Sequence, residues 1–412
     1  MPLPFDDLDL ERLRRRRSAK WRRYPPDVVP AWIAEMDLPL APPIVAALRA
    51  AVDAGETGYV EPTRTADLGG TFAAFCGRHF GWTVDPDQVA LVPDVNAGIA
   101  ELLRLVTEPG DGVVVNTPAY PPFFAGIADI GRRVVRVSMR PGADTGYGLD
   151  LAATERAFRT GVRAYLLCNP HNPTGRVFTR TELLDLAALC ERYRVTVISD
   201  EVHAPLVLPG AEHVPWLTLG DYPAEYGIAL HSASKAFDLA GLKCAVAVTA
   251  SPRMRQVLAR LPEEVPYRAS ILGVIASEVA YTEGDEWLAA ARAQLDGTRQ
   301  LLARLLAANL PAIGYRPPQA SYLTWLDCRA LGLGADPAAV FLERGKVALV
   351  RGLDFGDEGW GFARLNIGTS SGLVTEAVRR MAASLDGAPA GVRESVGGVD
   401  RPNAGPDGAE LS

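Results

Sequence analysis

Cysteine is scarce in this sequence, and the few present do not pair. Cys76, Cys168, Cys190, Cys244 and Cys328 stand far apart with no CxxC spacing, which excludes a disulfide scaffold and the common thiolate metal sites. Three of the five lie in apolar runs, where a reduced thiol behaves as a small hydrophobe, so a reducing cytoplasm is the expected setting. Long hydrophobic runs are missing too: nothing approaches the ~18 apolar residues that a membrane-crossing helix needs. The N-terminal stretch is Arg-rich without the apolar centre of a secretory signal, so neither targeting nor a membrane partner is expected. Excess positive charge is absent, with 42 Lys and Arg against 49 Asp and Glu and a net charge of -7. Such a chain lacks the electrostatic pull on which nucleic-acid binding rests, and Arg14 to Arg17 alone read as a solvated helix face or arm. No internal repeat is found.

With 48% hydrophobic and 22% charged residues, the composition is that of a globular enzyme. Its 412 residues exceed the ~250 to 300 at which one core stops growing, so a large domain with a smaller one beside it is expected. From about Pro42 short apolar runs alternate with helical periodicity, the pattern of parallel strands joined by covering helices. The candidate strands are GVVVNT from Gly112, RRVVRVSM from Arg132, RAYLLCN from Arg163, VTVISD from Val195, GIALHSA from Gly227 and CAVAVTA from Cys244. Most are apolar throughout, as strands buried on both faces are. AGIAELLRLVTEPGD and TRTELLDLAALCERY read as helices between them, the second opening on Thr179 as N-cap with Glu182 three residues on. This predicts an α/β fold built on a doubly wound, mainly parallel sheet.

Long helices are expected from about Tyr267 to Glu283 and from Asp285 to Ala308, after which residues 314–385 read as a compact α+β unit. The expected division is an N-terminal segment 1–40 that joins the small domain, a large domain 41–284, a linking helix with the small domain 285–385, and a tail 386–412. The tail is rich in Gly, Ala and Pro and too poor in large apolar side chains to offset its ordering entropy, so disorder is expected there.

In open α/β sheets ligands sit beyond the carboxyl ends of the strands, and polar residues gather at those places here. Asn169-Pro170-His171-Asn172-Pro173-Thr174-Gly175 follows one strand, Asp200-Glu201-Val202-His203 another, and Ser232-Ala233-Ser234-Lys235 a third. PDVNAG, Pro93 to Gly98, precedes a helix whose first amides suit a phosphate. Singly, each has a plain explanation: a proline-rich loop, a helix cap, a snorkelling amine. Their order and spacing carry the functional reading.

In that order and spacing the motifs resemble the fold-type I, pyridoxal-phosphate-dependent enzymes of the aminotransferase class I/II family. KWRRYPPDVVPAWIAEMDLP, PAYPPF, NPHNPTGRVF, SDEVHAPLV and SASKAFDLAGLK together are similar to the MalY/PatB-type carbon-sulfur lyases, and the likeness runs from about Phe5 to Leu385. The resemblance implies pyridoxal 5'-phosphate in the large domain, with Lys235 as the Schiff-base lysine; a partly desolvated amine has the lowered pKa that a nucleophile and base needs. It implies that Ser232, Lys243 and the amides of Val95 and Asn96 bind the cofactor phosphate. Lys243 stands where an arginine is often found, a point charge in place of a fork. Asp200 would pair with the ring nitrogen, a contact of about 4 kcal/mol at an effective dielectric of 20. Asn172 and His203 would donate to the ring oxygen, and Tyr120 would stack on the ring and take part in catalysis. Tyr59 would reach the phosphate of a neighbouring subunit in a homodimer, and Arg364 would clamp the substrate carboxylate. Asp94 departs from the small turn usual in these lyases; its carboxylate would repel a phosphate unless it caps the helix. The segment KWRRYPPD and the loop after PAYPPF are expected to line the substrate pocket.

The activity so implied is α,β-elimination from an L-cysteine thioether such as cystathionine, giving thiol, pyruvate and ammonia. An aminotransferase shares every residue named, and a secondary-metabolism relative could redirect the same chemistry to decarboxylation or oxidative deamination. A non-catalytic, cofactor-sensing regulator would need a DNA-binding module, for which the ~40 residues before the large domain are too few.

Overall fold

Short, wholly apolar segments build the centre of the molecule. The computed structural model describes residues 8–61, 65–142 and 146–385, so the tail expected at 386–412 lies outside the described residues. The principal sheet has seven strands: β1 (Val89–Val92), β2 (Gly112–Thr117), β3 (Arg133–Ser138), β4 (Ala164–Cys168), β5 (Thr196–Asp200), β6 (Gly227–His231) and β7 (Ala245–Val248). They lie in the order β1-β7-β6-β5-β4-β2-β3, and only β7 runs against its neighbours. β2, β4, β6 and β7 are buried at every residue, which is why their sequences show no alternation. Edge strand β3 alternates more, exposing Arg133 and Ser138.

Six helices matter here: α1 (Pro42–Asp53), α2 (Val95–Val106), α3 (Arg180–Tyr193), α4 (Ile271–Glu283), α5 (Asp285–Asn309) and α6 (Ser371–Ala383). α3 opens with the expected capping box, Thr179 and Glu182 each accepting from the other's backbone amide. At α2, a Cβ on Gly98 would come within 2.8 Å of Leu230 Cδ2, so glycine lets the first turn of this helix press against the end of β6. A second, antiparallel sheet of β8 (Gly314–Tyr315), β9 (Leu323–Asp327), β10 (Val350–Arg351) and β11 (Phe362–Asn366) has the order β8-β9-β11-β10. Val29–Pro30 pairs in parallel with Val347–Ala348, tying the N-terminal segment to the C-terminal unit.

That segment is also held by charge. Lys20 Nζ meets Asp37 Oδ2 at 2.8 Å with both side chains almost wholly buried, and Trp21 Nε1 donates to the other oxygen at 2.8 Å. Removing one partner of such a pair strands the other charge, so Asp37→Ala should cost about 3 to 5 kcal/mol. Thr179→Ala should cost about 1 kcal/mol, the loss of one cap. Urea unfolding of the two variants checks this ranking, and equal losses would show that the buried pair is not what fixes the N-terminal segment.

Candidate active site

The chain order reverses around β2, which leads outward to β3 and is flanked on its other side by β4, the crevice where a ligand is expected in such sheets. A cavity of about 360 Å³ opens there. Lys235, Asp200, Asn172, His203, Tyr120, Val95, Asn96, Ser232, Lys243 and Arg364 all line it, although they span most of the sequence.

Asp200 ends β5 and is buried. Burial pushes its carboxyl up to about 6, against the Val202 amide, His231 and Lys235, which favour the charged form. Its Oδ1 accepts from Val202 N at 3.1 Å. His203 sits one turn further on, buried, with Nδ1 lacking any hydrogen-bond partner. Burial, with Lys235 and Arg364 nearby, drives this imidazole down to about 3, so it is neutral.

Lys235 lies in the short turn of helix Ala233–Ala236 that follows β6. Burial lowers its pKa and Arg364 lowers it further, while Asp238, Asp200 and Glu35 oppose. Its Nζ donates to Ala34 O at 2.9 Å. Arg364, in the middle of β11, is buried with its guanidinium 5.1 Å over the Phe355 ring. Nη1 donates to Asn172 Oδ1 at 3.0 Å and Nη2 to Trp32 O at 2.9 Å, while Nε has no partner. Asn172 thus commits its oxygen to Arg364, which leaves the donor end of its amide for a ligand.

The opposite end of the cavity is built for an anion. Asp94 caps α2, accepting from Ala97 N at 2.8 Å, and its second oxygen lies 3.0 Å from Lys243 Nζ. The feared repulsion is met on both counts: the carboxylate serves as a cap and is neutralised by Lys243. Gly98 N bonds to the Asp94 carbonyl, so among the first four amides of α2 those of Val95 and Asn96 remain available. Ser232 Oγ donates to Cys244 O at 2.6 Å and accepts from Ser234 N.

The sequence pattern described as aminotransferase class I and II matches residues 28–381. The chain belongs to the class I and II aminotransferase family. Within it, a Mycobacterium tuberculosis protein is 44% identical over 412 residues, covering 93% of this chain and 99% of that protein. The cystathionine beta-lyase of Corynebacterium glutamicum is 34% identical over 382 residues, covering 92% of this chain and 99% of that protein. The crystal structure of cystalysin from Treponema denticola, which contains a pyridoxal 5'-phosphate cofactor, superposes with a TM-score of 0.86 at 26% identity, over 93% of this chain and 99% of that one.

Tyr59 is the expected residue that this aminotransferase-family cavity does not include. It is 85% exposed and packs edge-on against Tyr267, 6.3 Å between ring centres. The substrate wall is also drawn differently from expectation. Residues 20–27 do not border the cavity, because Lys20 and Trp21 turn inward to Asp37; Ile33, Ala34 and Glu35 border it instead. The chain leaving PAYPPF forms no loop but continues the helix Pro121–Asp129, which contributes Phe123. Besides Glu35, two carboxylates were given no role by the sequence reading. Asp238, in left-handed backbone at φ 58, accepts from Met36 N, and burial with Glu35 nearby pushes it up to about 7. Glu201, fully buried beside Asp200, accepts from Ser199 Oγ, Trp216 N and His213 Nε2 and lies 3.2 Å from His231 Nε2. Adjacency to Asp200 was the available signal for Glu201, whereas only tertiary packing reveals Asp238.

The raised carboxyl of Asp200 has a sign that can be measured on the ligand-free protein. Its folded pKa, about 6, lies above the unfolded value of 3.8, so between those values the folded state holds more protons. Stability from this group is full below about 4 and is lost as pH rises through about 6. Asp200→Asn should flatten that part of the stability-pH curve, which thermal melts from pH 4 to 7 check.

Proposed function

We propose that the chain is a pyridoxal-phosphate-dependent carbon-sulfur β-lyase acting on an L-cysteine thioether, cystathionine or another S-substituted cysteine. The observation that carries this is the meeting of a buried carboxylate (Asp200), a half-buried amine (Lys235), a buried guanidinium (Arg364) and a helix N-terminus in one cavity. The names of the relatives point the same way. The residues fit the cofactor: His203 Nδ1 and Arg364 Nε are buried polar atoms without partners, and two amides of α2 await an anion.

Val95, Asn96, Ser232 and Lys243 would hold its phosphate, Asp200 its ring nitrogen, Asn172 and His203 its ring oxygen, and Tyr120 one ring face. When bound, the cofactor supplies an aldehyde that captures an amine and an electron sink for the substrate α-carbon. Lys235 is the amine that would anchor it at rest. Arg364 exchanges Asn172 and the Trp32 carbonyl for the substrate carboxylate, a bidentate partner of full charge. That fixes the α-carbon near Lys235, an amine whose pKa is lowered by burial and which would accept the α-proton. The β-carbon to sulfur bond then breaks with both electrons leaving on the thiolate, and one water completes the balance to thiol, pyruvate and ammonia. The interior, partly buried position of Lys235 supports its use as a base, since a hydrated lysine is protonated at neutral pH.

Two further points belong to this proposal. Exposed Tyr59 and Tyr267 suit a homodimer in which Tyr59 reaches the partner's phosphate site. Five buried, unpaired cysteines suit a reducing compartment, and among the described residues no helix is long and apolar enough to cross a membrane.

Purified protein given L-cystathionine without any keto acid should release pyruvate and free thiol. Turnover that instead requires a keto acid would make the chain an aminotransferase. Lys235→Ala should lower kcat at least about a thousand-fold, the scale of losing a positioned base. Arg364→Lys should raise KM about ten-fold or more, because a point charge cannot replace the fork.

A further inference from the structure

Cofactor and substrate backbone together would use nearly every charge of the cavity. Asp200 faces the ring nitrogen, Lys243 and Asp94 are paired at the anion end, and Arg364 takes the α-carboxylate. One charged wall residue has no such task. Glu35 borders the cavity, half-buried, and among the described residues its carboxylate makes no hydrogen bond or ion pair. Its carboxylate is close enough to Lys235, Asp238 and Tyr322 to bias each toward the protonated form.

Its backbone is fixed. Glu35 O accepts from Lys20 Nζ at 2.9 Å and from Asn366 Nδ2 at 2.7 Å, and Asn366 also holds Ile33 O. Lys235 and Tyr322 both donate to Ala34 O. Ile33, Ala34 and Phe123 border the same cavity and offer apolar contact for carbon atoms.

We propose that Glu35 determines substrate preference, its carboxylate meeting a cationic group at the far end of the substituent on sulfur. The inference rests on the lyase reading and deepens it: the favoured thioethers carry a distal ammonium, and those ending in a lone carboxylate are rejected. Rejection matters as much as attraction, since a like charge placed against Glu35 is desolvated without a partner.

The test compares S-aminoethyl-, S-propyl- and S-carboxyethyl-L-cysteine, thioethers that share an S–CH2–CH2 unit and differ in distal charge, by thiol released from the cofactor-loaded protein. The native chain should favour aminoethyl over carboxyethyl by about ten-fold or more in kcat/KM, the scale of one well-placed polar contact. Glu35→Gln should bring both the aminoethyl-to-carboxyethyl and the aminoethyl-to-propyl ratios toward one, and Glu35→Lys should invert the first. Ratios that stay unchanged in both variants overturn the assignment of Glu35 while leaving the lyase reading intact. Absence of thiol from all three substrates, with the cofactor bound, overturns the lyase reading and this inference with it. Circular dichroism and cofactor absorbance confirm that each variant is folded and loaded before its ratios are read.

Discussion

A carboxylate buried at the end of a parallel strand is the constraint around which this molecule is organised. Asp200 cannot be charged cheaply where it stands: burial pushes it up to about 6, and the Val202 amide, His231 and Lys235 only moderate that. The cost is met when a cation is set against it, and a protonated ring nitrogen is such a cation. Behind Asp200 the wholly buried Glu201 is surrounded by donors on every side, which pins the turn after β5 and faces the aspartate into the cavity. Two adjacent carboxylates therefore do opposite things, one saturated with partners and structural, the other kept short of them for a ligand.

The cations Arg364 and Lys243 hold provisional partners. Arg364 rests on the Asn172 side chain and the Trp32 carbonyl, both neutral, and Lys243 on Asp94. A full anion outcompetes a neutral oxygen for a guanidinium, so the resting contacts orient the group without holding it too tightly. Asp94 shows how a single residue serves both the fold and the site, its two oxygens divided between the cap of α2 and the lysine.

Much of this was readable in the residues, for a physical reason. Strands buried on both faces are apolar without interruption, so six of the seven strands of the large sheet stood out, while β1 was missed because four residues, VALV, carry little signal on their own. The capping box at Thr179 and Glu182 was legible because it is local chemistry. Lys235 and Asp200 stood out because polar residues following an apolar run are themselves a signal, whereas Arg364, in the middle of β11, came from the family resemblance alone. The wall from Ile33 to Glu35 was not legible, since what places it is a set of bonds to Lys20, Lys235, Tyr322 and Asn366, between 15 and more than 300 positions away. The expectation that residues 20–27 face the substrate failed for a related cause: Lys20 and Trp21 find a better partner in the buried Asp37 than in any ligand.

That wall also bears on how the protein is made. Its carbonyls are held from one side by Lys235, at the end of the first sheet, and from the other by Tyr322, Arg364 and Asn366, in or beside the second. A nascent chain that has emerged only as far as β7 can pair its large sheet and offer Lys20 and Lys235 to this wall, but it lacks Tyr322, Arg364 and Asn366. The full set of bonds that holds this wall is therefore available only after β11 has left the ribosome.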